Sequence, residues 1–178
     1  MLISYKEYQF DTHKDIEIAY IRDAEIRNFI EHIMMSLSGK GALPSTVGFV
    51  FEYFPFISNL SIIENIILPL EYHEHLNKVE AVDRVSHYIN RLGLEGVVLK
   101  RKEVVGETDL FKAMFVRALA MNPGLVFIGD FKNSVTIGEF REILPLFREV
   151  AGTERNMWVG MSEGRNVKWE HDMEVVLD

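Results

Sequence analysis

VGFVFEYFPFISNLSIIENIILPLEY, residues 47–72, carries the reading of this chain. Its opening, VGFVFEY, is almost continuously apolar, the pattern of a strand covered on both faces. Aromatic residues crowd the link that follows, and the region 58–103 then reads as mostly helical, with Pro69 expected to punctuate it. Further on, Val82, Val85, Tyr88, Ile89 and Leu92 form an apolar stripe at helical spacing that Gly93 ends. Residues 109–121 read as another helix, after which Asn122, Pro123 and Gly124 turn the chain into LVFI, a short buried strand. Upstream, IEIAYI (16–21) reads as a strand. Ile26, Phe29, Ile30, Ile33, Met34 and Leu37 mark an amphipathic helix that Gly39 stops. Downstream, a helix is expected over 137–150, bent or interrupted at Pro145, with MWVGM and MEVVL as the last two strands. Strands that alternate with helices predict a mainly parallel sheet with right-handed crossovers.

Length and composition set bounds. A chain of 178 residues is expected to form one domain, 1–178, with a helical subdomain at about 58–104. A chain of that size buries roughly 70% of its unfolded surface. Its formal net charge of −8 argues against nucleic acid, which is bound through clustered Lys and Arg, and against direct attraction to anionic lipid. There is no Cys, so disulfides and Cys-held metals are excluded. The first residues, MLISYKEYQFDTHKD, show no signal-peptide core, and no apolar run reaches the roughly 20 residues that span a bilayer. The expected setting is cytoplasmic.

The stretch 47–72 and a second one, RALAMNPGLVFIGDF (117–131), together resemble the ABC-transporter ATPase domains. They match the cadence of that family's "GfvFQ…L…lTv.ENv.lPl" and "RALa.nP.lllLDEP" segments. The resemblance implies a P-loop-NTPase-like α/β fold, a mainly parallel sheet flanked by helices with a small helical subdomain. It also implies a truncated and degenerate version of that domain, because the chemistry of the family is missing at each position that should carry it. The family's phosphate-binding loop, G-x-x-x-x-G-K-[ST], lies between its first core strand and first helix. The corresponding link here is Arg22-Asp23-Ala24-Glu25. Ser38-Gly39-Lys40-Gly41 follows the helix, with Met34 where the first Gly of the motif belongs, and reads as a helix end and turn.

The family's magnesium-reaching Gln corresponds to Glu52, and its LSGGQ signature to Val105-Gly106-Glu107-Thr108-Asp109. A γ-phosphate would be repelled by Glu107 and Asp109, which suit the first turn of a helix capped by Thr108 or Asp109. Gly129 and Asp130 stand at the magnesium Asp and the general-base Glu, Thr136 at a later conserved Asp, and Ser162 at the switch His. Glu52, Gly106 and Asp130 are thus vestiges, and no catalytic residue is assigned. No cofactor is expected, with Mg-ATP as the alternative. The family's initial antiparallel strands and the long insert at 40–46 are expected to be lacking.

What the resemblance leaves intact is the helical subdomain and the loop before it, which in the family face the permease. Glu52, Tyr53, Phe54, Phe56 and Ile57 are therefore the candidate partner-binding residues. An equal alternative is that Phe54 and Phe56 pack the subdomain against the sheet. The implied function is a protein that does not catalyse but docks on a transporter permease or pairs with an active ATPase subunit, with a homodimer as a further partner. It would reach a membrane only through that partner. The alternatives are a weak ATP binder or residual ATPase using Asp130 and Glu52, and a small-ligand sensor using the vacated cleft. His73 and His75, interleaved with Glu71 and Glu74, suit a solvated helix end better than a metal site. Met34, Met35, Met114 and Met121 read as packing residues.

Overall fold

A computed structural model describes residues 2–5, 8–11, 16–21, 47–51, 54–129, 135–152, 156–162, 167–169 and 175–177, with the isolated helical positions 28, 31, 32, 34 and 35. Eight strands are described: β1 (Leu2–Tyr5), β2 (Tyr8–Asp11), β3 (Ile16–Ile21), β4 (Val47–Val50), β5 (Leu125–Ile128), β6 (Asn156–Ser162), β7 (Val167–Trp169) and β8 (Val175–Leu177). Four helices are described: α1 (Ile62–His73), α2 (Lys78–Leu92), α3 (Glu107–Ala120) and α4 (Ile137–Ala151). A 3₁₀ turn spans Lys102–Val104.

β3, β6, β5 and β4 form a four-stranded sheet in that order, and every neighbouring pair is parallel. The register sets Val50 beside Ile128, Ile128 beside Val159, and Ile21 beside Ser162, so 51, 129 and 162 converge on the carboxyl edge of the sheet. In open parallel sheets that edge is where ligands bind.

Three of the four described helices start on a local side-chain cap. Ser61 and Glu64 form a reciprocal capping box on α1, Asn77 and Glu80 one on α2, and Thr136 and Glu139 one on α4. Gly93 ends α2 at φ 69°, a left-handed conformation that favours glycine. Buried Phe111, Phe115, Val116 and Leu119 fix α3 in the centre of the fold. Phe115 stacks on Phe147 of α4 with ring centroids 3.7 Å apart, and Phe111 meets Phe140 and Phe147. On the other side, β4 approaches α3 so closely that a Cβ at Gly48 would lie 2.9 Å from the Ala118 carbonyl carbon.

Several expectations are corrected. The N-terminal region does carry antiparallel strands: β1 pairs with β2, Leu2 opposite Asp11 and Tyr5 opposite Tyr8, across two intervening residues. These strands are only four residues long, too short to give a clear alternation in the sequence. β8 pairs antiparallel with β7 rather than joining the parallel sheet. Pro69 and Pro145 lie inside continuous helices. An internal proline costs about 3 kcal/mol, and burial of Ile66, Ile67 and Leu70 around Pro69, and of Ile143, Leu144 and Phe147 around Pro145, offsets it.

The helix expected at 109–121 begins at Glu107, and its cap is Gly106 with no side-chain hydrogen bond, so neither Thr108 nor Asp109 caps it. Met114 and Met121 pack on the core, whereas Met35 is exposed. Residues 22–25, 36–46, Glu52, Tyr53 and Asp130, and with them the phosphate-loop equivalent, the Gly39 stop and two vestigial carboxylates, lie outside the described residues. Among the described residues no helix is long and apolar enough to cross a membrane.

Candidate functional site

Two regions bear on function: the carboxyl edge of the sheet, and the loop 54–60 that leads from it into α1. The loop is held by side chains from three directions. Asn65, 1% exposed in the apolar run of α1, receives the Ile57 N–H on Oδ1 (2.7 Å). Its amide donates to the carbonyls of Ile57 (3.1 Å), Leu60 (3.4 Å) and Ser61 (3.0 Å). Lys102 Nζ donates to the Phe56 carbonyl at 2.8 Å. Arg117 of α3 donates through Nη2 to the Phe54 carbonyl and through Nη1 to that of Pro55 (3.5 Å), and its guanidinium lies 4.7 Å from the Phe56 ring centroid. Burial lowers the Arg117 pKa to about 10, which leaves it cationic at neutral pH.

This clamp divides the aromatic candidates. Phe56 is buried beneath the loop, whereas Phe54 and Ile57 are 38% and 47% exposed. Packing therefore describes Phe56, and outward display describes Phe54 and Ile57. Beside them an open groove is lined by Ser58, Asn59, Arg101, Glu103 and Val104. Its far wall is strapped to α1, because Ile62 and Ile63 donate to the carbonyls of Lys100 and Val98, both at 2.8 Å.

The sheet edge is built differently. Gly129 continues the ladder, its N–H donating to the Val50 carbonyl at 2.9 Å. A Cβ at Gly129 would fall inside the Phe51 ring, which is buried and stacked on Phe127 (5.2 Å, 11°). Position 129 therefore offers no carboxylate to a cation. At the start of α3, Gly106 is exposed, and Glu107 and Asp109 put negative charge in the first helical turn. The Thr108 hydroxyl donates to Glu139 Oε1 at 3.1 Å. Glu139 sits below the usual carboxylate range, chiefly because of the Thr136 backbone N–H and then the Thr136 and Thr108 hydroxyls. Among the described residues, this edge therefore brings two acids to the first turn of α3 and no side chain to position 129. Thr136, at the later Asp position, serves as the α4 cap.

His73 and His75 are both exposed at the end of α1. Among the described residues no cluster of three or more His, Asp or Glu is placed to hold a metal. Sequence reading passed over Asn65, Arg117 and Lys102. Asn65 and Arg117 were signalled by polar side chains set in the apolar runs IIENIILPL and FVRALA, whereas Lys102, in the charged stretch KRKE, had no such signal.

Parallel strand order, helices and a loop at the carboxyl edge define an open α/β fold. No family model matches the chain. It is 19% identical to the lipoprotein-releasing system ATP-binding protein LolD of Psychrobacter arcticus over 144 residues, which cover 80% of this chain and 64% of that protein. It is 22% identical to the methionine import ATP-binding protein MetN 1 of Pseudomonas fluorescens over 142 residues, covering 80% of this chain and 40% of that protein. The chain thus spans less than two thirds of either relative. Among solved structures, cbiO1 from Clostridium perfringens, part of the ABC transporter complex cbiONQ, superimposes with a TM-score of 0.71 at 12% identity, over 91% of this chain and 76% of that one. The dimeric ATP-binding cassette MJ0796, bound to ADP and Pi, gives 0.62 at 15% identity, over 91% and 84%. The fold is that of the ABC-transporter ATPase domains, and the resemblance read from residues 47–131 is to the same proteins.

Proposed function

We propose that this chain is a catalytically inactive ABC-ATPase-like protein that acts by protein interaction, docking on a transporter permease or pairing with an active ATPase subunit. The observation that carries this reading is the clamped loop 54–60, whose carbonyls at Phe54, Pro55, Phe56, Ile57 and Leu60 all accept hydrogen bonds from Arg117, Lys102 or Asn65. A loop already held in shape loses little conformational freedom on binding. Phe54 and Ile57 are anchors beside a groove whose rim carries Arg101 and Glu103, a surface suited to an amphipathic helix.

The contrast with the sheet edge supports inactivity. Phosphoryl transfer depends on positioning and on charge stabilisation, and Gly129, Glu107 and Asp109 supply neither for a triphosphate. No cofactor enters this reading. That cbiO1 is part of a transporter complex supports the class of partner. The place of action would be the cytoplasmic face of a membrane, reached through the partner, because a net charge of −8 opposes direct attraction to anionic lipid.

Affinity capture from detergent-solubilised membranes of the source cells tests the proposal. The wild-type chain is expected to retain a permease or an ATPase subunit, and Ile57→Glu to lose it by about tenfold or more. Recovery of neither class of protein overturns the reading. So does micromolar Mg-ATP binding by calorimetry that Asp130→Asn abolishes.

A further inference from the structure

Position 51 carries the Phe that the resemblance leads one to expect, so what has changed is the strand beside it. With no side chain at Gly129, the Phe51 ring lies over the end of β5, in the space a Cβ would need. There it is 2% exposed, stacked on Phe127, and edge-on to Phe54 with centroids 6.4 Å apart. Phe49 completes the cluster, 5.9 Å from Phe54 and 6.4 Å from Phe127. One ring thus touches both the position from which a carboxylate is missing and the first residue of the clamped loop.

We infer that Phe51 is a wedge and a positioning residue: the glycine at 129 admits its ring over β5, and the ring in turn braces Phe54, so the substitution that removes a cation ligand also fixes the docking loop. This inference rests on the proposed docking role of that loop. It gives the loss at 129 a structural consequence, because a side chain there must expel the ring from its stack on Phe127 and with it the support under Phe54. Loop position and cation ligation are then alternatives at one site. Restoring a carboxylate at 129 alone disturbs the surface that the partner meets.

A double-mutant cycle on the full chain tests this, using Gly129→Ala, Phe51→Ala and the pair together. Gly129→Ala is expected to lower Tm by roughly 5 °C, the scale of a strained insertion into a packed site of a domain this size. Hydrogen exchange of the Phe54, Phe56 and Ile57 amides should quicken about tenfold or more, while α2 (78–92) stays unchanged. In the Phe51→Ala background, adding Gly129→Ala should change Tm by less than about 1 °C, since the obstructing ring is gone. If Gly129→Ala alone fails to fold, a folded double variant still supports the wedge. The inference is overturned if Gly129→Ala melts within about 1 °C of wild type, if its cost is equal in both backgrounds, or if exchange at 54–57 does not move. Membrane capture is read separately: lost coupling with intact capture sinks the wedge alone, and lost capture with intact coupling sinks the docking reading alone.

Discussion

The helices around the clamped loop and the carboxyl edge of the sheet belong to one fold but are built to different standards. In the first, α1 and α2 start with complete capping boxes, α2 ends on a left-handed glycine, and the buried Asn65 has donor and acceptor both satisfied. In the second, α3 starts without a side-chain cap, two acids occupy its first turn, and a glycine faces an aromatic ring. Under the proposed function, the scaffold persists where the phosphate chemistry does not. Packing needs volume and periodicity, both retained here, whereas phosphate binding needs donors and carboxylates at fixed points.

The largest effect that would break this comparison is expected at the tie between α3 and α4. Phe147 is fully buried and stacked at 3.7 Å on Phe115. Phe147→Ala should lose about 3–5 kcal/mol in a denaturant melt. A loss under about 1 kcal/mol would mean that the aromatic stack is not what joins α3 to α4.

Next comes Asn65→Leu, which leaves the Ile57 N–H and the Leu60 carbonyl without their partner, whereas the Ile57 and Ser61 carbonyls keep backbone donors. The expected cost is about 2–3 kcal/mol, with faster exchange at 57–61 and little change in α4. Uniform loosening of the whole chain would show that Asn65 holds the core and not the loop.

The smallest effect sharpens the contrast by pH. The Glu64 pKa is lowered from 4.5 to about 2, first by its hydrogen bond from Lys78 and then by those from Ser61. Its folded pKa lies below its unfolded value, so its contribution is complete above pH 4.5 and is lost as pH falls towards about 2. Glu64→Gln should therefore flatten the acid limb of a Tm-against-pH curve over that window and leave Tm near pH 7 slightly lower. Because Glu64 is solvent-exposed, a large drop at pH 7 would contradict a screened surface pair.

Much of this was legible in the sequence because it is local. The strands Ile16–Ile21 and Leu125–Ile128, the stripe of α2 and its Gly93 end all follow from neighbours within a turn or two. The prolines misled for the opposite reason: their local cost is outweighed by burial that only the folded core supplies. Of the candidate docking residues, Phe54 and Phe56 stand two apart and look alike in sequence, yet one is half-exposed and the other buried. Which one faces out depends on Arg117 and Lys102, about 60 and 46 residues further along.

Propensity and residue chemistry acting over a few positions already give the alternating α/β order, the Gly93 end of α2 and the bounds of α4 to within a residue. Long-range packing, by contrast, clamps the loop 54–60 from three helical segments and sets Phe51 in the space beside Gly129. Those contacts join residues 5 to 78 positions apart, the most distant brought together by the parallel register of β4 and β5 and by the burial of α3 against it.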